Sequence, residues 1–250
     1  MMRNATDQAV HGVKLGWTRC YLLKCTAGYL LIDTDYSKYY RRFERKLLDL
    51  GIALSDIKYL LLTHHHDDHA GFAAQLVQSV GCRVIAHRHA VGPLSRGRSE
   101  GTDHAVNRRS RLTLACYTLF HKEYSFPPLT LTGKDAVIEG DNDGLLQEIG
   151  IDGVILHTPG HTRDSISVVL SDGSAFVGDA AMNFLWWTGI RHRPIVVDHI
   201  DVVYESWQKL RERGARVIYP SHGRPFSATE LVAAPRPSSH QSVSQGHFLR

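Results

Sequence analysis

Four times along this chain a short run of apolar residues stops within a few positions of a histidine or an aspartate. "YLLLT" leads into His64, "GVILHTPG" into His161, "SAFVG" into Asp179 and "RVIYPS" into His222. Apolar runs of this length, bounded by turn residues, read as strands of a buried sheet. In layered α/β folds the loops that leave strand ends are held by rigid elements, and ligands bind there. A fold that satisfies all four runs therefore gathers four candidate donors along one edge of its sheets.

The rest of the pattern supplies the layers. "CYLLKC" and "YLLIDT" around "TAG" predict a hairpin. "SKYYRRFERKLLDLG" has Tyr40, Phe43, Leu47 and Leu50 at helical spacing, with Ser37 as the expected N-cap and Gly51 as the C-cap. "IKYLLL" is a strand, "AGFAAQLVQSVG" a helix ending at Gly81, and "CRVIA" a further strand. "SISVVL" and "SAFVG" are joined by the turn "SDG", and "IDVVYESWQKLRERGA" is a helix with Val203, Trp207 and Leu210 on one side, leading to the strand "RVIYP". Alternating strands and helices argue for an α/β arrangement. Residues 1–230 read as a single domain, interrupted at 87–135 by an insertion that is partly helical around 104–120 and placed to act as a lid. Residues 231–250, rich in Pro, Ser and Gln, read as a loose tail.

Composition excludes more than it selects. The 250 residues can bury a sizeable core, and a formal charge of +4 is too small to imply a nucleic-acid partner. No stretch is apolar for the roughly 20 residues of a membrane span, and "MMRNATDQAV" lacks a secretory h-region, so a cytoplasmic location is expected. Cys20, Cys25, Cys82 and Cys116 have no C-x-x-C spacing; they read as small buried apolar residues rather than as disulfides or zinc thiolates. The oligomeric state is left open, a homodimer included.

Chemistry concentrates in "LLTHHHDDHAG". Imidazole nitrogen and carboxylate oxygen are donors for zinc, and two neighbouring ions can share one water. In an extended loop, residues two apart face the same way, so His64 and His66 face one point while His65 and Asp67 face elsewhere. Where the loop turns into a helix, Asp68 and His69 reach a second point. His65 is expected behind the ligands or at the surface, Asp67 in solvent or on the backbone, His87 and His89 at the surface or as caps, and His157 buried and hydrogen-bonded in a strand. Ser165 and Ser221 lack a G-x-S-x-G context and read as turn residues.

The pattern H-x-H-x-D-H, filled by His64, His66, Asp68 and His69, followed by "TPGHT" with His161, "VGD" with Asp179 and "SHG" with His222, resembles the metallo-β-lactamase superfamily. Asp33 in "LLIDT" supplies that family's first landmark, and the likeness spans residues 18–226. It implies an α/β fold, a four-layer αββα sandwich. It also implies two Zn2+ per chain, with Mn2+ or Fe2+ as other divalent choices. His64, His66 and His161 would bind the first metal, Asp68, His69 and His222 the second, and Asp179 would bridge them. The nucleophile would be a metal-bridging hydroxide oriented by the catalytic Asp68; Asp33 would be structural.

In ligand set and length the chain is most similar to lactonase and glyoxalase-II-like members. The resemblance implies hydrolysis of a small carboxylic ester, lactone or thioester, anionic or with an apolar portion. Phosphodiesterase or nuclease activity using the arginines of residues 88–111 is the alternative, with β-lactamase activity a lesser one because Asp179 fills the bridging position. Two departures stand out: Met182 replaces the lactonases' usual tyrosine, and Asp164 replaces the glycine of "GHTxGS". Phe184, Trp186 and Trp187 are expected to wall an apolar substrate pocket, with "YSFPPL" opposite.

Overall fold

Leu22, Leu31 and Leu60 lie side by side on one face of a sheet, and Tyr21, Ile32 and Leu61 on the other, all buried. Burial on both faces is why these strands read as continuous apolar runs rather than as alternating ones. The sheet is one of two in a computed structural model that describes residues 10–101, 104–120, 124–189 and 191–233. Of the tail expected at 231–250, residues 234–250 lie outside the described residues.

In chain order the strands are β1 (Val10–Lys14), β2 (Arg19–Cys25), β3 (Gly28–Ile32), β4 (Ile57–Leu61), β5 (Arg83–His87), β6 (His104–Ala105), β7 (Ala136–Ile138), β8 (Gly153–His157), β9 (Ile166–Leu170), β10 (Ser174–Gly178), β11 (Val196–Val197), β12 (Val217–Pro220) and β13 (Phe226–Ser227). The first sheet runs β1-β2-β3-β4-β5-β7, antiparallel as far as β3 and parallel beyond it. The second runs β13-β12-β10-β9-β8, with only β10 and β12 parallel. A short antiparallel pair joins β6 to β11.

The helices are α1 (Tyr40–Asp49), α2 (Asp67–Ala70), α3 (Ala73–Val80), α4 (Val91–Arg96), α5 (Arg108–Phe120), α6 (Leu145–Glu148) and α7 (Ile200–Glu212). Phe43 and Leu47 of α1, Leu76 of α3 and Leu94 of α4 cover the outer face of the first sheet. Tyr21, Leu61, Ile85, Ile155, Val168 and Phe176 fill the space between the sheets. Val203, Trp207 and Leu210 of α7, the stripe predicted from spacing, cover the outer face of the second sheet. The result is the expected αββα sandwich.

Several local expectations are corrected. Ser37 does not cap α1; it opens a 3-10 turn, Ser37–Tyr39, because the Asp35 carboxylate accepts the Tyr36 N–H at 2.7 Å and holds the entry one step earlier. Gly51 lies one residue beyond the C-cap Leu50, in a left-handed conformation. The helix expected over 70–81 is divided into α2 and α3 because Phe72 N–H bonds to Asp35 O at 3.1 Å rather than continuing the helical ladder. Cys20, Cys25 and Cys82 are buried as expected, but Cys116 is exposed on α5. Within 87–135, α5 agrees with the helix expected around 104–120, while Phe126 and Leu129 of "YSFPPL" are buried in the first core and cannot wall a pocket. No helix among the described residues is long and apolar enough to cross a membrane.

Phe176 is fully buried between the sheets, edge-on to Tyr21 at 5.0 Å and stacked on Tyr219 at 4.9 Å. Phe176→Ala is expected to cost about 3–5 kcal/mol of stability, read from the urea midpoint; a cost below about 1 kcal/mol would show that the two sheets do not depend on this contact.

Candidate metal centre

Four chain segments bring the polar side chains together at one edge of the sandwich. The loop after β4 carries His64 and His66 into α2, which presents Asp68 and His69. The β8–β9 loop carries His161, the end of β10 carries Asp179, and the end of β12 carries His222. Two glycines make the approach fit. Gly178 has φ +52°, and a Cβ there would lie 2.3 Å from Thr63 Oγ1; Gly160 has φ +128°, and a Cβ would lie 2.5 Å from the backbone nitrogen of Val203. Helix α7 supports both flanking loops, since Trp207 Nε1 donates to Ala180 O and Ser206 Oγ to Pro159 O, each at 2.7 Å.

The donors converge as groups. His64, His66 and His161 form one, Asp68, His69 and His222 another, and Asp179 joins His64 and His69 in a third between them. His66 Nδ1 lies 3.1 Å from His64 Nε2 and 3.3 Å from His161 Nε2. His222 Nε2 lies 3.1 Å from Asp68 Oδ2, and His69 Nε2 lies 3.7 Å from Asp68 Oδ1. Asp179 faces both ways: Oδ1 is 3.4 Å from His69 Nε2 and from His222 Nε2, while Oδ2 is 3.6 Å from His161 Nε2. Ligands at zinc's usual distances stand about 3.3 Å apart on the edges of a tetrahedron.

The outward nitrogens fix which inner atoms are free. His161 Nδ1–H donates to Val196 O at 2.9 Å, His222 Nδ1–H to Trp17 O at 3.2 Å, and His69 Nδ1–H to Asp33 Oδ2 at 2.8 Å. Thr63 Oγ1 gives its own proton to Asp33 Oδ2, so it accepts from His64 Nδ1–H. Each of these four rings thereby turns its Nε2 inward, the atom that can meet a cation once it carries no proton. The buried His69 Nε2 and Asp179 Oδ1 make no hydrogen bond, as expected of atoms shaped to meet a cation. The donor set therefore fits divalent metal ions.

The electrostatics of the two groups differ. Burial, reinforced by neighbouring imidazoles, drives His64 and His66 well below the ordinary histidine value, and burial also lowers His161. Around the second group burial is outweighed by charge. The Asp179 and Asp68 carboxylates push His222 up to about 10, and Asp68 and Asp179 raise His69 well above its usual value. Despite their burial, both carboxyls are held well down, Asp179 by the charges of His222 and His69, Asp68 by those of His69 and His222.

The structure also places the residues that surround the donors. Asp33, at φ +59° and fully buried, accepts hydrogen bonds from Thr63 N, Thr63 Oγ1, His69 Nδ1 and Ser221 Oγ. Ser221 is thus more than a turn residue. The signal for Asp33 was the "LLIDT" landmark, with no hint of its partners. His65 is buried and bonded to Asp164 at 2.9 Å. Asp67 is buried rather than solvated, and its carboxylate accepts from Ser99 Oγ at 3.2 Å, because the segment after α4 covers it. His87 is buried and caps the turn at Arg88–Ala90; His157 is half-buried and donates to Arg163 O at 2.9 Å. Phe184 is half-buried 6.2 Å from the His222 ring, whereas Trp186 and Trp187 are 80% and 54% exposed.

The metallo-beta-lactamase superfamily model matches residues 16–222, and the chain belongs to that superfamily. It is similar to a beta-lactamase-like protein 2 homolog of Caenorhabditis elegans, 24% identical over 210 residues that cover 82% of this chain and 56% of the relative. An atrochrysone carboxyl ACP thioesterase of Aspergillus fumigatus is 24% identical over 216 residues, covering 84% and 52% respectively. The chain spans about half the length of these curated relatives. The crystal structure of an archaeal superfamily protein from Sulfolobus tokodaii shares the fold with a TM-score of 0.62 at 21% identity, covering 90% of this chain and 83% of that one.

Metal uptake is expected to release protons from one group only. At pH 7 the lowered His64, His66 and His161 are neutral and give up none, whereas His69 and His222 must each lose one. Affinity for a cation held by Asp68, His69 and His222 should therefore rise with pH from neutrality toward about 10. Zinc titration calorimetry in buffers of differing ionisation enthalpy checks this; zinc binding that releases no protons would contradict it.

Proposed function

We propose that this chain is a dinuclear metal-dependent hydrolase, with zinc as the ion its donors suit best, acting on a small carboxylic ester, lactone or thioester. The observation that carries the reading is the placement of Asp179, with one oxygen toward the three-histidine group and the other toward His69 and His222. Two cations held there would acidify a shared water and polarise the oxygen of the scissile bond.

The chain's own residues do the rest. His64, His66 and His161 would hold the first cation, and Asp68, His69 and His222 the second. Asp68 is the most open of the carboxylates at the centre, its side chain 18% exposed, and Thr18 Oγ1 donates to its Oδ2 at 3.4 Å. That position suits Asp68 to accept a proton from an attacking water and orient it. Met182 is buried with its backbone tied to His192, so no side-chain hydroxyl meets the substrate oxygen from that position.

An aromatic shelf borders the site. Phe184 meets Trp17 edge-on at 5.0 Å and Trp187 at 6.3 Å, and Trp186 continues the row 6.1 Å from Trp187. Trp17, which sequence reasoning left out, is 66% exposed while its carbonyl holds His222. A shelf of exposed rings beside the centre suits an acyl or aryl group, and the thioesterase name of the Aspergillus relative supports the thioester member of the class.

Purified protein is expected to carry close to two zinc ions per chain and to lose esterase activity on chelation, with return on adding zinc; metal-free protein of undiminished activity would refute the proposal. On a panel of ester, lactone, thioester, β-lactam and phosphodiester substrates, a phosphodiester rate above all others would select the nuclease alternative. Trp17→Ala should raise KM for aryl esters about fivefold or more while kcat stays within about twofold; unchanged KM would remove the shelf from substrate binding.

A further inference from the structure

The alternation that turns His64 and His66 inward turns His65 the opposite way. Its Nδ1 lies 2.9 Å from Oδ1 of Asp164, and the two residues are 5% and 2% exposed. His65 sits between two members of the three-histidine group, and Asp164 stands three residues after the third member, His161. Their bond therefore ties together the two loops that build that group. The far nitrogen, Nε2, meets the backbone of Glu100, 3.0 Å from its N–H and 2.9 Å from its carbonyl oxygen. It finds a partner there as acceptor or as donor, so Nδ1–H stays committed to Asp164. The Asp164 loop is itself tightened by a 2.7 Å bond between the Thr162 and Ser165 hydroxyls.

We infer that His65 and Asp164 are a positioning pair, a buried hydrogen bond that sets the spacing of His64 and His66 against His161. The inference rests on the metal-centre reading above. Ser99 provides a control. It holds the same loop by accepting the Asp67 N–H at 2.9 Å and donating back to the Asp67 carboxylate, but it makes no bond to the β8–β9 loop.

The test is zinc affinity of the full-length chain, measured against a chromophoric chelator, with Co2+ absorption spectra and thermal unfolding of the metal-free protein alongside. His65→Ala and Asp164→Ala should each weaken the tighter zinc about 10–100-fold and alter the Co2+ spectrum. The double variant should lose little more than the worse single one. His65→Asn, whose amide stands near Nδ1, should retain most of the affinity, and Ser99→Ala should stay within about twofold. Wild-type affinity in His65→Ala, or losses that add in the double variant, would overturn the pair. If either alanine variant fails to fold, His65→Asn against His65→Gln decides: the pair predicts at least about fivefold tighter zinc for asparagine, and equal affinities overturn it. Wild-type protein that takes up no zinc defeats the metal-centre reading and the pair with it, whereas wild type and His65→Ala binding two ions alike defeat the pair alone.

Discussion

The Asp33 carboxylate is the contact on which the donor cluster depends. It sits at the end of β3 with no exposure to solvent and takes four hydrogen bonds from three elements. Through Thr63 it sets the loop after β4 and the His64 ring. Through His69 Nδ1 it fixes one imidazole, and through Ser221 it reaches the end of β12 in the other sheet. A non-glycine residue at φ +59° is strained, and the surrounding bonds over-determine it. Without this carboxylate four buried donors would lose their partner, each at a cost of about 1–3 kcal/mol.

The sandwich explains why that contact can exist. Strands β3, β4, β10 and β12 all deliver their ends to the same edge, and the apolar layer of Leu30, Leu61, Val168 and Phe176 keeps the sheets in register behind it. Helix α7 closes the far face and anchors the His161 and Asp179 loops through Ser206 and Trp207. The donors are thus carried at strand ends and held by regular structure, which lets atoms from four chain segments meet within a few ångströms.

What was legible in the sequence follows from its locality. Strands buried on both faces announce themselves as apolar runs, and alternation separates His64 and His66 from His65, while the turn into a helix brings Asp68 and His69 in together. Roles that depend on distant partners left no such mark. Asp33 meets Ser221 across 188 positions, His65 meets Asp164 across 99, and the Trp17 carbonyl meets the His222 ring across 205. The cap expected at Ser37 was displaced for the same reason, because Asp35 serves both the helix entry and the Gly16 N–H of a separate turn.

The central claim is that one carboxylate, Asp179, is shared by two cations. Anomalous diffraction from zinc-loaded crystals tests it most directly. The account predicts two zinc peaks about 3.5–4 Å apart, one among His64, His66 and His161, the other among Asp68, His69 and His222, with Asp179 touching both. A single peak at full zinc loading, or a second peak beyond the reach of Asp179, would contradict it.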